Sequence, residues 1–269
     1  MALSADVDVK RAGSAAPTLL LDAGTGLRQV TALLERRPFK GAILLSHLHW
    51  DHVQGLPFFG SGDHLESNVS LCIPPQEDGA DAESVLARMM APPLFPIRPS
   101  QLRGSWRFGV LPEAAFSDDG WAVESFRVMA REIPHKGGRT VGYRVSDGHA
   151  ALAYLPDHCP TEMGSGPDGW GAYHPAALDL ARDVDLLIHD AHLFPQELAA
   201  EASFGHAAAD YAVGLGVRAG ARQVALFHHK PDRHDDALDR LVARCASAGA
   251  SASPAVAVCG AFDGLELDL

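Results

Sequence analysis

The most constraining feature of the sequence is a run of metal-type side chains in LLSHLHWDHVQG (44–55), which contains the pattern H-x-H-x-D-H. The pattern directly follows an apolar run of strand length. Because alternate side chains of an extended chain point to the same side, His47 and His49 can converge on one ion. Asp51 and His52 then turn toward a second ion. Imidazole nitrogens and carboxylate oxygens suit zinc, and also manganese or iron. The run therefore predicts a site for two divalent metal ions.

Short apolar runs of strand length alternate with helical patterns along the chain, which is typical of an α/β fold. The predicted strands are TLLLDAG (18–24), GAILLSH (41–47), VSLCI (69–73), VGYRVSDG (141–148), ALAYLPD (151–157), VDLLIHD (184–190), QVALFHH (223–229) and AVAVCG (255–260). The predicted helices are Leu27–Arg37, Ala82–Met90, His206–Ala219 and Asp235–Ala248. The ending FDGLELDL (262–269) alternates apolar and polar residues, so it predicts a half-exposed final strand.

Composition limits the class of protein and the class of substrate. The chain has 269 residues, of which 47% are hydrophobic, and this predicts a single domain over residues 1–269. No apolar run reaches the roughly 18–20 residues that span a bilayer, and the start has no signal-peptide core, so we expect a cytoplasmic protein without a membrane partner. The formal charge of −12 disfavours nucleic acid and favours a small-molecule substrate.

At the H-x-H-x-D-H run the sequence resembles the metallo-β-lactamase superfamily, and the resemblance continues from about Thr18 to Leu269. It implies a four-layer αββα sandwich. PHKGGRTVGYRV (134–145) resembles the segment of the third ligand histidine, which is His135. AYLPD (153–157) resembles the strand that ends in the bridging aspartate, Asp157. ALFHHKP (225–231) resembles the last ligand segment; its ligand is His228 or His229, and we choose His228 because it directly follows the strand.

The resemblance implies how the ligands divide between the metals. One ion takes His47, His49 and His135, the other takes Asp51, His52 and His228, and Asp157 bridges them. A water or hydroxide then fills the shared position. Asp51 is counted as a catalytic residue as well as a ligand. Zinc is the expected metal, with manganese and iron as alternatives.

Two later segments resemble the phosphodiesterase branch of the superfamily, which includes ribonuclease Z and the phosphoribosyl cyclic phosphate phosphodiesterase. They are VDLLIHDAHLF (184–194) and SFGHAAADYAVGLG (203–216). In that branch an acidic residue after the strand pairs with a histidine at a following helix start. The corresponding residues are Asp190 and His206. The resemblance implies that His206 protonates the leaving oxygen of a phosphodiester while Asp190 fixes its tautomer.

The spacing of the ligands bears on the substrate. Ribonuclease Z carries a long arm for tRNA between the third histidine and the bridging aspartate, but His135 and Asp157 are only 22 positions apart. We therefore expect a small or cyclic phosphodiester. The alternatives are a lactone, β-lactam or thioester hydrolase on the same metals, a ribonuclease Z-like nuclease, and a metal-dependent sensor without turnover. Whether the chain forms a homodimer is open.

The residues around the ligands invite further expectations. Asp22 is a candidate partner for a metal-bound histidine. We expect the other nearby histidines to support ligands or lie at the surface, and these are His158, His189, His192, His229 and His234. Only 17 residues precede Thr18, so either VDVK (7–10) supplies a short edge strand or the N-terminal strand of the family is truncated.

Overall fold

The structure is a computed structural model that describes residues 1–3 and 16–269. Its contacts define two compact units. The first comprises Met1–Ala115 with Ala122–Phe126, and the second comprises Phe116–Trp121 with Arg127–Leu269. The expected edge strand VDVK (7–10) lies outside the described residues, and the single domain stays a prediction.

The first unit contains a five-stranded sheet with strands in chain order. Its strands are β1 (Ala2–Leu3), β2 (Leu19–Leu21), β3 (Lys40–Leu44), β4 (Asn68–Ile73) and β5 (Ser105–Val110). Its helices are α1 (Leu27–Leu33), α2 (Trp50–Val53) and α3 (Ala82–Leu86). The strands β2 to β5 pair in parallel, whereas β1 is antiparallel to β2.

Parallel pairing places the first group of polar residues at one sheet edge. Ile43 and Leu44 in β3 are fully buried, which holds the strand in the core of the unit. Strands β2 and β3 run in the same direction, so their carboxyl ends meet at one edge. Asp22 directly follows β2, and Ser46 and His47 follow β3. The sequence thus delivers these side chains to the same place in the unit.

A seven-stranded sheet with the order β12-β11-β10-β9-β8-β7-β6 forms the centre of the second unit, although Ala122–Phe126 at its β6 end are assigned to the first unit. Its strands are β6 (Trp121–Val123), β7 (Phe126–Glu132), β8 (Val141–Ser146), β9 (Ala151–Leu155), β10 (Leu186–Asp190), β11 (Gln223–Phe227) and β12 (Ala257–Gly260). Its helices are α4 (Pro175–Ala181), α5 (Leu198–Glu201), α6 (Ala209–Ala219) and α7 (Asp235–Ser251). Strands β9 to β12 pair in parallel, and β7, β8 and β9 pair antiparallel.

The direction of these strands gathers the second group of polar residues. Asp157, Asp190 and His228 lie at or just beyond the carboxyl ends of the parallel strands β9, β10 and β11. His135 lies in the connection from β7 to β8, which the antiparallel pairing brings to the same edge. Ligand sites in sheets with parallel strands form at this edge.

The α/β prediction is confirmed, and most predicted elements occur with shorter bounds. The predicted strand 262–269 is wrong, because Gly264 adopts φ +88° in a turn and Phe262, Leu267 and Leu269 are exposed instead of packing on a core. The helix predicted from Leu27 ends at Leu33, since the chain turns into positive φ at residues 35 and 36. None of the helices in the described ranges is long and apolar enough to cross a bilayer.

Candidate metal centre

The H-x-H-x-D-H run changes conformation in the middle, as its chemistry requires. The backbone is extended at His49 (φ −63°, ψ 151°), and α2 begins at the next residue. The rings of His47 and His49 lie 4.5 Å apart between centroids, and those of His47 and His52 lie 4.2 Å apart. Asp51 projects from α2 with 55% of its side chain exposed, and its carboxylate is 3.4 Å from His52 Nε2. The structure therefore brings all four side chains of the run together.

Asp22 anchors the histidines of this run. Its carboxylate accepts hydrogen bonds from the Ser46 amide (2.6 Å), the Ser46 hydroxyl (2.9 Å) and His52 Nδ1 (2.8 Å). Because the single hydroxyl proton of Ser46 goes to Asp22, its oxygen accepts a bond from His47 Nδ1 at 3.0 Å. His47 and His52 therefore both carry their proton on Nδ1, which leaves Nε2 as the atom for a metal.

Electrostatics keeps Asp22 ionised despite its burial. Burial opposes the charged form, but the adjacent His52 and His47 and the Ser46 amide outweigh it, so the pKa of Asp22 is lowered. The residue holds an unusual backbone angle, φ +62°, that aims its carboxylate at these donors. The prediction that Asp22 supports a metal-type histidine matches this geometry.

Asp157 lies between two histidines of the second unit. One carboxylate oxygen is 3.3 Å from His135 Nε2, and the other is 3.3 Å from His228 Nε2. Asp157 is 1% exposed, so both of its oxygens are committed to the interior. A carboxylate that presents each oxygen to a different imidazole is the arrangement expected of a bridging ligand.

His135 is oriented in the same way as the histidines of the first unit. Its Nδ1 donates to the Gly205 carbonyl at 2.7 Å, which leaves Nε2 toward Asp157. Gly205 has φ +97°, and a Cβ atom there would lie 3.0 Å from His135 Nδ1. Glycine is therefore required at position 205 both for the turn and for the close approach of the imidazole.

Asp190 and His206 form the pair that the sequence predicts. His206 Nδ1 donates to Asp190 at 2.9 Å, and the Asp190 side chain is fully buried. The same carboxylate accepts bonds from the amides of His158 (3.1 Å) and His192 (2.9 Å). The His206 ring is 5.1 Å from the His228 ring between centroids. The pair thus lies beside the Asp157 cluster, which consists of Asp157, His135 and His228. Nε2 of His206 is not used by Asp190 and can take part in proton transfer.

His192, which the sequence leaves as either a supporting or a surface histidine, has partners at the site that the sequence does not specify. Its ring stacks on His206 at 4.2 Å with 21° between the planes, and its Nδ1 donates to the His228 carbonyl at 3.0 Å. Nitrogens of His192, His206 and His228 lie within 4.8 Å of one another.

His158 and His189 are buried next to Asp190. Nδ1 of His158 is 3.0 Å from Nε2 of His189, and burial lowers the pKa of both imidazoles.

The donor set fits divalent metals. In each unit the ordered imidazoles present Nε2, and one carboxylate, Asp51 in the first unit and Asp157 in the second, adds the oxygen ligands that zinc, manganese and iron accept. Each of the three ordered histidines has its Nδ1 fixed by a hydrogen-bond acceptor, as is usual for metal ligands.

The family described as the β-lactamase superfamily domain matches residues 18–229, so the chain belongs to that superfamily, whose members include metal-dependent hydrolases. Among curated proteins, ribonuclease Z of Geobacillus kaustophilus (strain HTA426) is 25% identical over 87% of this chain and 85% of its own.

Solved structures show the fold. The metallo-β-lactamase fold protein YhfI from Bacillus subtilis is 16% identical, with a TM-score of 0.63 over 92% of this chain and 85% of that chain. A diphosphatase from the PhnP family is 18% identical, with a TM-score of 0.57 over 93% of this chain and 79% of that chain. The predicted metallo-β-lactamase fold is therefore confirmed.

Proposed function

We propose that the protein is a binuclear metal-dependent phosphodiesterase that hydrolyses a small or cyclic phosphodiester. The observation that carries this proposal is the Asp190–His206 pair beside the Asp157 cluster. Hydrolysis of a β-lactam, lactone or thioester needs the metals but not a separate acid of this kind. Departure of an alkoxide does need one, because an unprotonated alkoxide is a poor leaving group.

The proposed ligands are those expected from the sequence. One ion would be held by His47, His49 and His135 and the other by Asp51, His52 and His228, with Asp157 available to both. The bound ions would supply an activated water as the nucleophile and positive charge next to the phosphoryl oxygens. The anchoring of His47, His52 and His135 through Nδ1 supports the assignment.

His206 is the proposed general acid. A carboxylate can only accept from Nδ1–H, so Asp190 fixes the tautomer and leaves Nε2 to hold the proton that the leaving oxygen receives. His206 is 13% exposed and Asp190 is fully buried, so the pair is held rigidly while Nε2 stays within reach of a ligand. Asp51, exposed on α2, is the carboxylate proposed to act in catalysis as well as in binding.

A ribonuclease Z-like nuclease is the second candidate, because a ribonuclease Z aligns with most of the chain. Two observations favour the small substrate. Residues 136–156 are all described and contain only β8, β9 and their turn, with no inserted arm. The net charge of −12 opposes binding of a polyanion.

A substrate panel tests the proposal. The protein loaded with zinc or manganese would be assayed on bis-p-nitrophenyl phosphate, 2′,3′- and 3′,5′-cyclic nucleotides, a precursor tRNA, a β-lactam and a lactone. Turnover of the small phosphodiesters at the highest kcat/KM is expected. A preference for the lactam or lactone would refute the phosphodiesterase, and a preference for precursor tRNA would favour the nuclease. No turnover with full metal loading would favour a sensor.

A further inference from the structure

We propose that His192 is a positioning residue for His228, and that it acts through the bond from its Nδ1 to the His228 carbonyl. The proposal rests on the assignment of His228 as a metal ligand under the proposed function. It assigns a specific role to a histidine that the proposed function uses neither as a metal ligand nor as a contact to the substrate.

His228 needs such support because of its backbone. It directly follows β11 and adopts φ +58°, a left-handed conformation that residues other than glycine rarely hold. The turn brings its Nε2 within 3.3 Å of Asp157. Rotation of the peptide that follows His228 would disturb this turn, displace the imidazole ring and lengthen the distance from Nε2 to Asp157. The His228 carbonyl belongs to this peptide, so a donor to that carbonyl opposes the rotation.

Two consecutive donors hold the end of β11. The Ala191 amide donates to the Phe227 carbonyl at 2.8 Å, and His192 Nδ1 donates to the His228 carbonyl at 3.0 Å. The first bond continues the pairing of β10 with β11. The second is made by a side chain and reaches one residue beyond the strand. His192 therefore extends the support of the sheet to the residue that carries the ligand.

The His192 ring is itself fixed from several sides. The His192 backbone amide donates to Asp190 at 2.9 Å, and the His192 ring stacks on the ring of His206. Its carbonyl accepts a bond from Arg233 Nη2 at 3.1 Å. Arg233 also donates from Nη1 to Glu197 at 2.8 Å. A donor held this firmly can impose a position on its acceptor.

We call the contacts that hold His192 in place the brace, and the guanidinium of Arg233 completes it. It binds both carboxylate oxygens of Glu197 and lies 3.7 Å above the centre of the Phe194 ring. Glu197 in turn accepts the Phe194 amide at 2.8 Å. These bonds join the segment after His228 to the segment after β10. The Arg233 side chain that makes them is only 11% exposed.

Substitutions separate this role from two others, namely a substrate contact through His192 Nε2 and simple packing against His206. His192→Asn keeps a donor near the position of Nδ1 but removes Nε2 and the ring. His192→Phe keeps a ring to stack on His206 but has no donor. His149→Asn and His149→Phe are matched controls, because His149 is an exposed histidine of the same unit whose amide donates to Asp147.

The experiment measures the affinity of each holoenzyme for zinc by competition with a chromophoric chelator, together with kcat/KM on bis-p-nitrophenyl phosphate. We expect His192→Phe to bind the more weakly held zinc about 10–100-fold less tightly, as for other residues that orient ligands. The zinc affinity of His192→Asn should stay within about 3-fold of wild type, and both His149 variants should match wild type within about 3-fold in zinc affinity and in kcat/KM.

If His192→Asn lost as much zinc affinity as His192→Phe, the proposal would be overturned, since the hydrogen bond to the His228 carbonyl would then not be what supports zinc binding. Unchanged affinity in His192→Phe would also overturn it. If His192→Phe does not fold, Arg233→Gln releases the His192 carbonyl without altering the ring, and unchanged zinc affinity in that variant would count against the brace. Zinc binding is read without substrate, so a lack of phosphodiesterase turnover leaves this result intact. A wild-type protein that binds no metal would refute both proposals.

Discussion

Replacing His206 by Ala tests the proposed chemistry most sharply. The substitution removes the proposed proton donor and its bond to Asp190, but it changes none of the seven proposed ligands. Asp190 keeps its bonds to the amides of His158 and His192, so the end of β10 should remain in place. We therefore expect the variant to fold and to retain its metals.

The size of the effect follows from the geometry. Asp190 holds the His206 ring at 2.9 Å, and the His192 ring covers one of its faces, so the wild-type donor is preorganised. General acid catalysis by such a residue is worth about 10²–10⁴-fold, and this is the loss expected on an alkyl phosphodiester. On a p-nitrophenyl diester the loss should shrink to less than about 10-fold, because that leaving group is stable without a proton.

The assay compares kcat/KM on the two substrates for wild type, His206→Ala and the control His149→Ala, with metal content measured on the same samples. The control should match wild type on both esters. An equal loss on both esters would show that His206 binds phosphate or supports the fold. No loss on either ester would remove His206 from the mechanism.

Two further predictions concern the second unit. Asp157→Ala should lower activity by more than about 100-fold and release metal while the far-ultraviolet circular dichroism is retained; an active, fully loaded variant would show that Asp157 does not bridge. The hydrogen bonds from Arg233 lower the pKa of Glu197 from its ordinary 4.5 to about 2, so their contribution to stability is present above pH 4.5 and is lost as the pH falls toward 2. In EDTA, the free energy of unfolding of Glu197→Gln, measured with urea near neutral pH, should be about 1 kcal/mol lower than that of wild type, because solvent screens this partly exposed pair. A difference that does not shrink in acid would contradict the reasoning.

Much of this architecture could be predicted because the strands of the two sheets are short apolar runs that end in polar residues. Such a run is buried along its length, so the first polar side chain after it must lie at a sheet edge. Asp22, Asp157 and Asp190 all follow such runs, whereas the roles of Asp157 and Asp190 came from the resemblance to the metallo-β-lactamase superfamily. The prediction failed at 262–269, where alternation existed but no core was available to bury the apolar side chains.

The supporting network could not be predicted from the sequence for a different reason. His192 and His228 are 36 positions apart, and His192 and Arg233 are 41 apart. No local pattern marks bonds of this range, since each depends on where the ends of β10 and β11 lie in the folded sheet. The left-handed backbone of His228 was equally hidden, because a ligand histidine and a surface histidine look the same in the sequence.

The number of metal ions per chain tests the central claim most directly. The protein would be reconstituted with zinc, freed of excess metal by gel filtration and analysed by inductively coupled plasma mass spectrometry against the protein concentration. Seven ligands with a shared Asp157 predict close to two zinc ions per chain. A value of one, or of none, would contradict the binuclear site.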